Sequence, residues 1–171
     1  MGPLREDFAG QRQLRFRVEG ETLHLFKAKG ESSHQVYLKV LAYALYRDQF
    51  DLTIDPKIDC KYQPDVASFD LTGEVQLWIR CGPFPTEQIV YVLKHTDAKH
   101  VIWVQEHPAG HESKTDFSDL DNSGRVASIR KQVHYRYANG KLKLLVFRPL
   151  DGWFDPDDVI LDPHNYQLFE F

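Results

Sequence analysis

Two carboxylates and an amide, Asp65, Glu74 and Gln76, are the residues of this sequence whose types and spacing come nearest to a definite chemistry. Alternation along a strand puts Glu74 and Gln76 on one face, about 7 Å apart. Asp65, coming off a preceding turn or strand end at Pro64-Asp65, can reach the same edge. Such hard oxygen donors suit Mg²⁺ or Mn²⁺. An ion held there would polarise a phosphodiester and acidify a bound water. Glu31, just ahead of a helix, adds a carboxylate that can lie over the sheet edge. Trp78 follows on the same strand face and offers a ring for a base or a sugar, although such a residue more often belongs to the core or covers the sheet. A plainer reading makes Asp70-Leu71-Thr72-Gly73 a turn in which Asp70 or Thr72 bonds nearby backbone. Glu74 and Gln76 are then the solvated face of an ordinary strand.

The elements that must position these residues are legible from periodicity. Leu14, Phe16 and Val18, then Leu23, Leu25 and Phe26, alternate around Glu19-Gly20 and predict a β-hairpin. Ser32 with Gln35 three positions on is a capping box, and Val36, Val40, Leu41, Ala44 and Leu45 recur at helical spacing. Phe50 to Ile54 predicts a short strand and Pro56 to Gln63 a loop. Thr72 to Arg80 is the strongest strand, with Val75, Leu77 and Ile79 on one face and Glu74, Gln76, Trp78 and Arg80 on the other. Pro85 to Lys94 predicts a helix. Val101 to Val104 follows as an interior strand, parallel to the previous one. Residues 133–137 and 142–147 around Asn139-Gly140 predict a second hairpin, and 159–161 and 166–171 edge strands. The fold class expected is α/β, a mixed sheet flanked by helices.

The segments ESSHQVYLKVLAYAL at 31–45 and PDVASFDLTGEVQLWIRCG at 64–82 resemble the YaeQ family of small bacterial proteins, a variant of the PD-(D/E)XK nuclease fold. The resemblance extends to about Glu106, and the remainder matches little of the family's usual C-terminal portion. It implies a restriction-endonuclease-like core over about 14–105, within a single domain spanning 1–171, and a C-terminal hairpin and tail over about 125–171. It also implies a site in which Asp65 and Glu74 are the metal ligands, with Glu31 and Gln76 completing the catalytic set. Gln76 then stands where the fold carries a lysine that stabilises charge on the attacked phosphate. Lys39 on the first helix or Arg80 on the strand is placed to supply the missing cation. The function expected is a divalent-metal-dependent phosphodiesterase acting on nucleic acid. The alternative is an inactive member of the fold that binds nucleic acid or a protein.

Composition sets bounds on both. The 171 residues are 42% hydrophobic and 27% charged with a net charge of −4, ordinary for one globular domain and no general attraction for nucleic acid. Cys60 and Cys81 are too few for a disulfide scaffold. No stretch approaches the about 20 apolar residues of a membrane span, and charges near Met1 do not suit a signal peptide, so the cytoplasm is the compartment expected. No P-loop, G-x-G-x-x-G, G-x-S-x-G or Cys-x-x-Cys occurs. His107 and His111 flank Pro108 and Gly110, a loop in which i, i+4 spacing fixes no common face. Arg125, Arg130, Lys131 and Arg136 form a basic cluster. Trp153, Phe154, Tyr166, Phe169 and Phe171 are placed to cap the sheet or to meet a second subunit.

Overall fold

The computed structural model describes residues 13–83, 85–106, 131, 141–147, 156–159 and 161–171. Strands β1 (Gln13–Val18) and β2 (Glu21–Phe26) pair antiparallel across Glu19-Gly20. Both turn residues have positive φ, 47° and 85°, the backbone that lets a two-residue loop match the twist of its strands. Leu14, Phe16, Val18, Leu23 and Leu25 turn inward. The hairpin is a two-stranded sheet of its own.

Helix α1 (Ser33–Tyr46) begins as its capping box requires. The Ser32 hydroxyl accepts from Gln35 N at 3.1 Å, and Ser32 N donates to Gln35 Oε1 at 3.0 Å. Every residue from Val36 to Ala42 is buried. A single apolar face would leave the opposite side wet. Here the hairpin covers one side of α1 and the main sheet the other, in one continuous core. That two-sided burial encloses Lys39.

The main sheet has the order β3-β4-β5-β6-β7-β8. Its strands are β3 (Leu52–Ile54), β4 (Val66–Phe69), β5 (Val75–Cys81), β6 (His100–Glu106), β7 (Leu142–Phe147) and β8 (Tyr166–Glu170). β5, β6 and β7 run parallel, and the other pairings are antiparallel. Helix α2 (Thr86–His95) joins β5 to β6 and packs Ile89, Val92 and Leu93 on the face opposite α1, beside Trp78, Val101, Trp103 and Leu144. The layers are therefore hairpin, α1, sheet and α2. Phe169 and Phe171 join the α2-side core, and Tyr166 packs against the α1 side.

Three expectations change. β4 lies where only a turn or strand end was anticipated, because four residues are too few to show a period. β5 starts at Val75, not Thr72. Trp78, a candidate to face a substrate, is 1% exposed in the α2-side core, the commoner place for such a residue. The strand at 133–137, His107, His111, Arg125, Arg130, Arg136, Trp153 and Phe154 lie outside the described residues. Cys60 and Cys81 are free thiols, and burial pushes that of Cys81 well up. Among the described residues no helix is long and apolar enough to cross a membrane.

Candidate functional site

The turn at Asp70 decides where the candidate carboxylates go. Asp70 Oδ1 accepts from Thr72 N, Thr72 Oγ1 and Glu74 N, at 2.9, 2.6 and 2.9 Å. Asp70 N donates to Glu74 O at 2.8 Å. Those bonds to Thr72 and to the backbone hold the Asp70 carboxyl below its ordinary range. They close β4 onto β5 as a hairpin, with Glu74 at its tip. Asp65 lies at the other end, immediately before β4. Five residues of strand separate the two levels, about 16 Å at the usual rise. Asp65 and Glu74 do not converge, contrary to the expectation that they share an ion.

Gln76 is displaced too. Ser68 pairs with Leu77, but Phe69 pairs with Val75. Gln76 is the extra residue of a bulge, and the alternation assumed through it is broken. Its amide donates to Asp70 Oδ2 at 3.1 Å, supporting the turn. Val75 accordingly packs on the α2 side, while Leu77 and Ile79 face α1.

At the other end of the hairpin a different group assembles. Lys39 Nζ lies 2.7 Å from Glu31 Oε1, 2.7 Å from Asp55 Oδ1 and 3.9 Å from Asp65 Oδ1. Its side chain is 1% exposed. Burial works against the charge on Lys39, but the hydrogen bonds to Asp55 and Glu31 outweigh it and hold the ammonium pKa above its ordinary 10.5. Asp65 Oδ2 accepts from Cys81 N at 2.7 Å, and its Oδ1 lies 3.7 Å from Arg80 Nη1. Burial raises the Asp65 pKa, and the Cys81 N–H, Arg80 and Lys39 only partly oppose it. Arg80 Nη1 also donates to Gln63 O at 3.1 Å.

Asp55 was not picked out from the sequence. It follows β3 with φ 52°, a left-handed conformation that Asp tolerates better than most residues. Its backbone N donates to Asp65 O at 2.7 Å, a pairing between strand ends that local sequence does not signal.

Glu31, Asp55, Asp65 and Arg80 line an open cavity of about 290 Å³ with Lys29 and Gln35. Gln35 also borders a neighbouring cavity of about 310 Å³, where His34 Nδ1 lies 2.9 Å from Glu106 Oε2. Gly82 lets α1 approach: its φ is 88°, and a Cβ there would stand 2.8 Å from Gln35 Nε2. The first cavity lies at the C-terminal end of β5 and the second at the ends of parallel β5 and β6, the edge at which open α/β sheets bind ligands.

No family model and no curated protein matches the chain. Its backbone does match solved structures. The YaeQ protein of Pseudomonas syringae aligns at 12% identity with a TM-score of 0.59, over 92% of this chain and 88% of that one. The YaeQ protein of Xanthomonas axonopodis pv. citri aligns at 16% identity with a TM-score of 0.54, over 93% and 89%. The chain has the YaeQ fold. The alignments extend well beyond the segments that carried the resemblance.

On this YaeQ-fold scaffold a divalent ion does not fit the described residues of the cleft. Among the described residues no three His, Cys, Asp or Glu side chains are grouped to hold one. Glu31, Asp55 and Asp65 do approach a common point, but a covalently attached ammonium fills it. Across the strand pair Asp65 faces Arg80, a cation where a second ligand would have to stand.

Proposed function

We propose that this chain is a non-catalytic binding module on a PD-(D/E)XK-like architecture, engaging a nucleic-acid or protein partner. The observation that carries the reading is the pairing of Asp65 with Lys39 and Arg80. A metal-dependent phosphodiesterase needs carboxylates free to take an ion. Here the carboxylates already neutralise side-chain cations, one of them buried. Displacing Lys39 would mean dragging its four-carbon stem out of the α1 core. The cleft keeps its open face, its Gln35 amide and its mix of charges, which suits recognition of a polar partner.

The test is a turnover panel with Mg²⁺ and with Mn²⁺ on single-stranded, duplex and branched DNA and RNA. Wild type should be silent throughout. Gln76→Lys should be equally silent, because position 76 belongs to the Asp70 turn and not to the cleft. Cleavage that chelation stops and Asp65→Ala abolishes would restore the phosphodiesterase reading.

A further inference from the structure

The outward face of the β1–β2 hairpin carries Arg15, Arg17, His24 and Phe26. In register, Arg15 faces His24, Arg17 faces Thr22 and Gln13 faces Phe26. All six are exposed, Phe26 to 65%. Among the described residues no carboxylate pairs with either arginine. Glu21, the nearest acid on these strands, is drawn to the α1 side, where it meets Arg47 Nη2 at 3.0 Å and accepts from Tyr43 Oη at 3.2 Å. Among the described residues Arg15 and Arg17 thus stand outside any ion pair in a chain of net charge −4, with Asp157 and Asp158 following Pro156, whose O accepts from Arg17 N at 2.8 Å along the β1 edge.

This exposed strip has a direction. From Arg17 to the level of Phe26 is four residues of strand, about 14 Å, with Arg15 and Arg17 about 7 Å apart on it. Beyond Phe26 the chain continues to Lys29, on the rim of the Asp65 cleft. Cations along the strip and a bare ring at its end match what an unpaired strand offers, phosphates for the arginines and a base face for the phenylalanine. A duplex keeps its bases stacked on one another and would leave the ring unused.

We propose that this hairpin face binds single-stranded nucleic acid, with Arg15 and Arg17 on consecutive phosphates and Phe26 stacked on a base. The proposal rests on the binding-module reading, since an active cleft beside the strip would cut the strand it held. Fluorescence anisotropy with a labelled single-stranded probe of about 12 nucleotides tests it on the full chain. The samples are wild type, Arg15→Glu/Arg17→Glu and Phe26→Ala, each at several salt concentrations. Thermal unfolding verifies that these outward substitutions leave the fold intact. The charge reversal should raise Kd at least tenfold and lower the log–log salt slope by roughly 1.4, about 0.7 per lost phosphate contact. Phe26→Ala should weaken binding roughly tenfold with the slope unchanged. Absence of binding, or variants that bind as wild type does, would overturn the proposal. So would equal affinity for polyglutamate or for anionic vesicles, which would leave only unspecific charge attraction. A gel of the same samples separates the two readings. Cleaved probe with both variant effects intact would contradict the non-catalytic cleft while upholding the hairpin surface.

Discussion

Lys39 is the residue on which the cleft turns. A lysine inside a helix core is costly unless its charge is met, and Glu31, Asp55 and Asp65 meet it. Lys39→Met would leave three carboxylates crowded without a counter-charge. At pH 7 it should cost about 3–5 kcal/mol in urea unfolding, the usual result of breaking a buried ion pair. The pH dependence has a definite sign. The Lys39 pKa is raised in the folded state, so its stabilisation is complete below 10.5 and is lost only as pH climbs through the raised value. In Lys39→Met the deficit should shrink toward pH 4, as the crowded carboxylates take up protons. A deficit that stays constant from pH 7 to pH 4 would mean the lysine acts by packing alone. Glu31, Lys39, Asp65 and Arg80 were all legible as candidates in the sequence. Their partnership was not, because it depends on which strand end faces which.

The β4–β5 hairpin is the element that sets that partnership. The Asp70–Gly73 turn could be read directly, but β4 could not: Val-Ala-Ser-Phe is short, and its first three residues are buried without alternation. Once β4 is present the register follows from the turn. Asp70 lies level with Glu74, the bulge absorbs Gln76, and Val66 comes opposite Ile79. Asp65 is then carried to Arg80 and away from Glu74. A one-residue irregularity of this kind moves side chains between faces, and local composition gives no sign of it. The hairpin, α1, α2 and β6 were legible because each is long enough to show its period or its cap. Leu77, 0% exposed and facing α1, lies just past the bulge, on the face that alternation predicted. Leu77→Ala should cost about 2–5 kcal/mol in equilibrium unfolding. A loss below about 0.5 kcal/mol, as at surface sites, would show that the face is misassigned.

Across the whole molecule, four layers bring the start of α1, the start of β4 and the end of β5 to one sheet edge, and the hairpin strip leads to that edge through Lys29. Side-chain cations neutralise the carboxylates in the cleft there, and Arg15 and Arg17, which pair with no carboxylate among the described residues, stand outside it on the hairpin. A cleft whose carboxylates are already paired with Lys39 and Arg80 should not take up a divalent ion. The direct measurement is a calorimetric titration of Mn²⁺ into wild type and Asp65→Ala at neutral pH. Only the heat of dilution is expected for both proteins. Stoichiometric binding by wild type that disappears in Asp65→Ala would contradict it, and would return the cleft to metal-dependent chemistry.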